Sequence, residues 1–262
     1  MAEFQFVRYR VEDYIGWLTL NRPPVNALNR QLVGEIFAAA HLANRDVERR
    51  QLRVLILNAE GTHFCAGADL KERQSIPESE IENVVQGIRE AVQALADIKV
   101  PVIAAVQGTA AGGGMELALA ADIRVLSETA QMGLRETALA IIPGAGGTQR
   151  LLRLIGYARA LEWIATAQMF DAQECLSHGV ANRVVPATEL ADAALYYAKL
   201  IAANGPVAVQ AAKEALRSGM DEPLSRALEL ELACYRRVIP TKDRREALAA
   251  FLEKRPPVFK GE

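Results

Sequence analysis

Residues 102–106, Val-Ile-Ala-Ala-Val, are the strongest constraint on how this chain folds. Pro101 precedes them, and the triplet Gly112-Gly113-Gly114 separates them from a second apolar stretch, residues 115–121. A five-residue run without a polar side chain has no face to offer water, so it reads as a strand covered on both sides. The glycines read as a tight connection into a helix. Strands of this kind belong to parallel sheets, whose crossovers are helices.

The same alternation recurs along the chain. Residues 4–10 and 15–20 alternate well enough for two antiparallel strands joined near Glu12-Asp13, and Pro23-Pro24 ends the second. Asn29 is placed to cap a helix through about residue 44. Residues 52–57 are a further short apolar run of strand type, and residues 123–126 read as a third buried strand. Residues 78–96 carry Ile81, Val84, Val85, Ile88, Val92 and Leu95 at helical spacing. After Gly144 the pattern turns helical, in segments 147–155, 158–165, 172–177, 189–203, 207–217, 224–239 and 243–253. The expected class is α/β, with a core domain over 1–195 and a helical C-terminal region over 196–262.

Composition narrows the function classes. Hydrophobic residues are 51% of the 262 and charged residues 24%, which suits one sizeable core and argues against global disorder. Thirty Lys and Arg against 32 Asp and Glu leave a net charge of −2. A duplex-binding protein usually carries a basic surplus, so nucleic acid is not an expected partner. Cys65, Cys175 and Cys234 fit neither a zinc spacing nor a disulfide framework, which favours a reducing compartment and no metal. Residues 1–14 show no apolar signal-peptide core behind a basic head. The longest uncharged run, between Lys99 and Glu116, contains Pro101, Gln107 and the glycine triplet, which argues against a membrane helix. A cytoplasmic location is expected.

Three stretches carry chemical potential. His63-Phe64-Cys65-Ala66-Gly67-Ala68-Asp69-Leu70 is a small-residue turn that lets backbone N–H groups approach a ligand. Gly112-Gly113-Gly114-Met115-Glu116 opens a helix, aiming free N–H groups and the positive helix end at an anion or a developing oxyanion. No Gly-Lys-Ser/Thr follows, so it is not a phosphate-binding loop. The third, from Gly133 through Glu136 and from Ile141 to Arg150, is a glycine-dense backbone route past a pocket. Each has a plainer reading: a tight connection, a helix-dipole partner at Glu116, a surface charge at Glu136. His41, His63 and His178 read as structural, in a helix, a loop and a helix end.

FCAGADLKE, AAVQGTAAGGGMELALAADIRV and MGLRETALAIIPGAGGTQRL, in this order and spacing, resemble the crotonase superfamily, specifically its enoyl-CoA hydratases. The likeness runs from about Ile15 to the C-terminal KRPPVFKGE. LKER, GGGMELALA and ETALAIIPG look most like the 3-methylglutaconyl-CoA hydratase branch, one member of which also binds AU-rich RNA. The helix that serves there carries a lysine stripe, and residues 31–44 here contain no lysine. The resemblance implies a crotonase (ClpP-like) fold of stacked ββα units and a homo-oligomer, a hexamer built as a dimer of trimers. It implies addition or removal of water across the double bond of a short or branched 2-enoyl-CoA. The substrate it favours is 3-methylglutaconyl-CoA, with 3-hydroxy-3-methylglutaryl-CoA as the hydrated partner. Hydration of crotonyl-CoA in fatty-acid oxidation is the alternative, and isomerisation on the same scaffold a further one. Coenzyme A would enter as part of the substrate, with no separate cofactor.

Residue by residue, the resemblance implies an oxyanion hole from the backbone N–H groups of Ala68 and Gly113. It makes Glu116 and Glu136 the carboxylates that hold and activate water, with Glu136 the main proton-transfer group. Coenzyme A is expected against Ala27, Leu28, Ala66, Gly67, Asp69 and Leu70. Tyr235, Phe251 and Lys254 would complete its 3′-phosphate end from a neighbouring subunit, Phe251 and Lys254 from one helix face. Pro143 and Gly144 are expected beside the acyl group. Arg135 departs from the family, where proline or a small apolar residue commonly stands. It is either a solvated or salt-bridged side chain, or a partner for a carboxylate at the far end of a glutaconyl-type acyl chain.

Overall fold

A computed structural model describes residues 4–262. Val7–Glu12 (β1) and Ile15–Leu20 (β2) pair antiparallel from Val7 against Leu20 to Glu12 against Ile15. Asp13 and Tyr14 take φ of +48° and +66°, the left-handed pair of a two-residue hairpin turn. Arg30–Glu48 (α1) follows, its Asn29 cap accepting the Leu32 N–H at 2.9 Å. It runs past the expected end because Val47 is buried, and Asn44 turns its side chain to the Lys99 N–H at 3.0 Å.

Val54–Ala59 (β3), Leu70–Gln74 (α2) and Ile81–Ala96 (α3, entered through a short 3-10 turn at Glu78–Glu80) come next. Then follow Val102–Val106 (β4), Thr109–Ala111 (β5), Gly113–Ala120 (α4), Ile123–Ser127 (β6) and Gln131–Gly133 (β7). The remainder is Gly147–Ile155 (α5), Tyr157–Thr166 (α6), Phe170–Asp171 (β8), Ala172–Ser177 (α7), Arg183–Val185 (β9), Leu190–Ala202 (α8), Pro206–Gly219 (α9), Leu224–Val238 (α10) and Lys242–Leu252 (α11).

The large sheet has the order β1-β2-β3-β4-β6-β9, parallel except at β1. Both faces are covered at its centre, which is why β3 and β4 lack the polar alternation that β1 shows. Val54, Ile56, Ile103 and Ala105 point to one side, where they pack with Ala193, Ala194 and Ala198 of α8. Leu55, Leu57, Val102, Ala104 and Val106 point to the other, into the core shared with α1, α3 and α4. A boundary at residue 195 therefore falls inside α8, whose buried face is part of this core. The core extends to the end of that helix.

A second, three-stranded sheet, β5-β7-β8, supplies the second strands of the ββα units that the resemblance implied, although periodicity alone did not place them. Its strands are two or three residues long, too short for periodicity to reveal. With the bridge between Cys65 and Ala110, it exposes a repeat. A large-sheet strand, a short second strand and then a helix recur as β3–Cys65–α2, β4–β5–α4 and β6–β7–α5.

Among the described residues, no helix is long and apolar enough to cross a membrane. Helix α9 is pinned to the core by Lys213, whose buried ammonium donates to Asp122 Oδ2 at 2.6 Å and to the Val100 carbonyl at 2.8 Å. Asp122 in turn accepts the Val102 N–H at 2.8 Å, at the start of β4. Removing one partner strands a buried charge, whereas an apolar replacement of the lysine does not. Asp122→Ala is therefore expected to cost about 3 kcal/mol in urea unfolding, the low end for a broken buried pair because the Asp122 side chain is partly exposed. Lys213→Leu should cost clearly less.

Candidate active site

The catalytic candidates sit where the three repeats turn from their second strand toward a helix. In the first, Ala66 donates to the Val25 carbonyl at 3.0 Å, Leu28 to the Gly67 carbonyl at 2.8 Å and Asp69 to the Leu28 carbonyl at 2.9 Å. Among the described residues, the Ala68 N–H between them meets no acceptor. Gly67 aims it: its φ is +93°, and a methyl group there would lie 2.7 Å from the Ala111 carbonyl oxygen, so only glycine fits. In the second repeat Gly113 is the first residue of α4, and its N–H likewise meets no acceptor. A Cβ built on Gly113 would lie 4.0 Å from the Ala68 nitrogen, so the two amides are neighbours. The next glycine is set by crowding, since a methyl group at Gly114 would lie 2.1 Å from the Cys65 carbonyl oxygen.

Both turns line a cavity of about 900 Å³, whose far wall carries Ile81, Val85 and Ile88 of α3 with Leu139 and Ile141. Two carboxylates face into it. Glu116 lies one turn into α4 and is only 3% exposed. Its Oε1 accepts the Ala145 and Gly147 N–H groups, both at 2.8 Å. This is what the glycine-dense segment before α5 is for: its backbone holds one oxygen of Glu116. Burial pushes the Glu116 carboxyl up from the usual range, and those two N–H groups and the Arg150 guanidinium oppose the rise.

Glu136 comes from the third repeat, just after β7. Its Oε1 lies 3.0 Å from where a Cβ on Gly112 would be, which sets it beside the glycine triplet. Its Oε2 is buried and, among the described residues, has no hydrogen-bond partner. Burial, and next the charge of Glu116, push Glu136 up to about 7. The two carboxyls thus differ in kind: one is fixed by backbone donors, the other is left with an open oxygen and a titration near neutrality.

The remaining expected residues divide. Ala66, Gly67, Leu70, Arg135 and Gly144 line the cavity. Pro143 is buried, packed toward Gly147, and does not. The Asp69 carboxylate is spent on structure, pairing with Arg22 at 2.7 Å and accepting the Lys71 N–H at 3.0 Å as the cap of α2. Ala27 and Leu28 run beside the Ala68 turn, Leu28 buried and bridged to it. Tyr235, Phe251 and Lys254 do not line the cavity within one chain and are exposed. Lys254 is also not on the helix of Phe251. Helix α11 ends at Leu252, and Lys254 follows with φ +53°. The apolar wall residues and Arg73, which also lines the cavity, were not legible in the sequence, since only packing brings α2 and α3 over the site.

Two amides unengaged among the described residues, beside a carboxylate pair, suit chemistry in which negative charge collects on a carbonyl oxygen while protons move. Comparison with known proteins agrees. The family model described as Enoyl-CoA hydratase/isomerase matches residues 10–262. The human mitochondrial methylglutaconyl-CoA hydratase is 46% identical over 242 residues, covering 90% of this chain and 70% of its own. YngF of Bacillus subtilis, named for enoyl-CoA hydratase/isomerase, is 44% identical over 252 residues, covering 95% of each. The crystal structure of an enoyl-CoA hydratase from Bacillus anthracis superposes with a TM-score of 0.95 at 44% identity, covering 98% of this chain and all of the other. The chain belongs to the enoyl-CoA hydratase/isomerase family. It has the crotonase fold and is an enzyme of the hydro-lyase type.

The raised titration of Glu136 has a consequence for stability. A folded carboxyl that holds its proton more tightly than an unfolded one weakens the fold as pH rises from about 4.5 through about 7. Glu136→Gln removes that penalty. Thermal unfolding should show the variant more stable at pH 8 by about 1–2 kcal/mol, a figure reduced because the carboxyl still meets some solvent. The gain should vanish below about pH 4.5.

Proposed function

We propose that this enzyme adds water to, or removes it from, a short or branched 2-enoyl-CoA. Glu116 and Glu136 act on the reacting carbons, and the Ala68 and Gly113 N–H groups hold the thioester oxygen. The Oε2 of Glu136, without a hydrogen-bond partner among the described residues, beside the fixed carboxylate of Glu116 carries this reading. In hydration the free oxygen of Glu116 takes a proton from water as its hydroxyl bonds to the β-carbon. The protonated Glu136 gives its proton to the α-carbon. The charge that collects on the thioester oxygen is met by the two amides, and losing one such donor costs roughly 3–4 kcal/mol in comparable enzymes. Dehydration runs the same steps backward, with the proton starting on Glu116.

The name of the human relative supports 3-methylglutaconyl-CoA as the substrate. Coenzyme A would enter only as the carrier half of that substrate, along Ala27, Leu28 and the Ala66–Leu70 turn. Tyr235, Phe251 and Lys254 would serve a neighbouring subunit's ligand. Their exposure, with that of Leu216, Met220, Leu224, Leu228 and Leu252, supports a homo-oligomer closed through the C-terminal helices. The three cysteines are free and buried, in keeping with a reducing compartment such as the cytoplasm.

Hydration consumes no net proton, so both directions need the same singly protonated carboxyl pair. The pH profile of kcat/KM is therefore expected to be one bell shared by hydration and dehydration, falling above about pH 7. Profiles that fall at different pH in the two directions would contradict the shared pair. Glu136→Gln should lower kcat at least about a thousandfold while still binding the thioester. Near-normal turnover in that variant ends the assignment.

A further inference from the structure

Arg150 stands at the end of a helix that least suits a cation. It is the fourth residue of α5, in the first turn, where the peptide dipoles point their positive end. That turn carries no acidic side chain of its own. The guanidinium folds back over the entrance to the helix: a Cβ on Gly146, whose φ is +103°, would lie 3.2 Å from Arg150 Nε. Nε is buried and, among the described residues, has no acceptor. A terminal nitrogen donates to Gln93 Oε1 of α3 at 2.8 Å. The charges that reach Arg150 are those of Arg217, Asp97, Glu116 and Arg153. Arg217 of α9 pairs with Asp97 and Arg153 with Asp221, both at 3.1 Å, whereas Arg150 makes no ion pair among the described residues.

Glu116 answers from the other side of the same turn. A Cβ on Gly147 would lie 3.0 Å from Glu116 Oε1, so carboxylate and guanidinium touch adjacent residues of one glycine pair. Glu116, Ala145 and Gly147 are all buried, so little water screens the attraction between the two charges. Arg150 does not line the cavity, and it meets no ligand there. A bond to Gln93 needs only a neutral donor, whereas a cation in the first turn of a helix needs an anion to offset it. We propose that Arg150 is a positioning residue acting through Glu116: it holds the negative charge of the carboxylate pair there, so that the proton resides on Glu136. This rests on the hydratase reading above and names what decides which carboxyl is base and which is acid. Burial raises the Glu116 titration, and the two N–H groups and then the Arg150 charge lower it. At Glu136 burial and the Glu116 charge raise the titration, and the arginine that opposes them is Arg73. Removing the Arg150 charge therefore lets Glu116 take up a proton at higher pH, with less effect on Glu136.

The test is the pH profile of kcat/KM, with whichever of crotonyl-CoA and 3-methylglutaconyl-CoA the wild-type enzyme hydrates faster. Arg150→Gln and Arg150→Met should move the acid limb up by about one pH unit, move the alkaline limb less and leave KM unchanged. Arg150→Lys should keep the wild-type acid limb. Gln93→Leu, which breaks the bond to α3 and keeps the charge, should keep it too. An unmoved acid limb in the neutral variants, a moved one in Gln93→Leu, or a lysine variant that behaves like the glutamine one overturns the proposal. Neutral variants that fail to fold, or that lose kcat by one factor at every pH, give Arg150 a structural role and overturn it as well. Carbon-13 NMR of the glutamate carboxyls, with Glu116→Gln to assign the signal, reads the same shift without turnover. If the wild-type enzyme hydrates no enoyl-CoA, the hydratase reading falls, and this titration by itself upholds or overturns the placement of the charge.

Discussion

The register of the small sheet is the constraint on which the site depends. The Cys65 N–H donates to the Thr109 carbonyl and the Ala111 N–H to the Cys65 carbonyl, both at 3.0 Å, while Ala110 lies opposite Met132. These contacts hold the second strands of three successive repeats side by side. Each strand then turns, and the turns deliver the Ala68 amide, the Gly113 amide and the Glu136 carboxyl to one cavity. A slip of one residue would reverse which groups face that cavity. The bond from the Gly112 N–H to the Gly133 carbonyl, at 2.8 Å, ties the second and third turns directly. The packing of Gly114 against the Cys65 carbonyl does the same for the first and second.

Held this way, two chemically identical side chains acquire different roles. Glu116 is buried in a short apolar helix and would be costly to ionise there, except that two backbone N–H groups meet one of its oxygens. Among the described residues, Glu136 has no such donors at Oε2, and its neighbour's charge adds to its burial. The asymmetry arises from the backbone, through the segment that runs from Ile141 into α5. The same economy appears in the half of the site proposed to hold the carbonyl, where main-chain amides need no side chain and their turns need small residues to come close.

Much of the fold was open to sequence reasoning because burial imposes period and composition. The runs at β4, α5 and α7 coincide with the expected segments, and the covered strands β3 and β4 show the near-continuous apolar character that parallel sheets require. The small sheet was hidden because strands of two or three residues carry no period. Lys254 was misplaced onto a helix for a related reason: helix α11 stops two residues earlier, where the chain turns through a left-handed conformation that neither Glu253 nor Arg255 announces.

What the sequence determined by itself is the set of chemical parts. Apolar runs and helical periods indicated the α/β class, and the resemblance of three motifs to a known family implied the rest, naming Ala68, Gly113, Glu116 and Glu136 as the groups to watch. Only the tertiary structure decided how these parts differ and what surrounds them. It fixed one oxygen of Glu116 and left one of Glu136 unbonded, and it spent the Asp69 carboxylate on Arg22 and a helix cap. It also brought Arg73 of α2 to the cavity that Arg135 lines. The physical reason is that a side chain's identity travels with the chain, whereas its burial, its partners and its charge state are set by residues tens of positions away, through packing that no local pattern records.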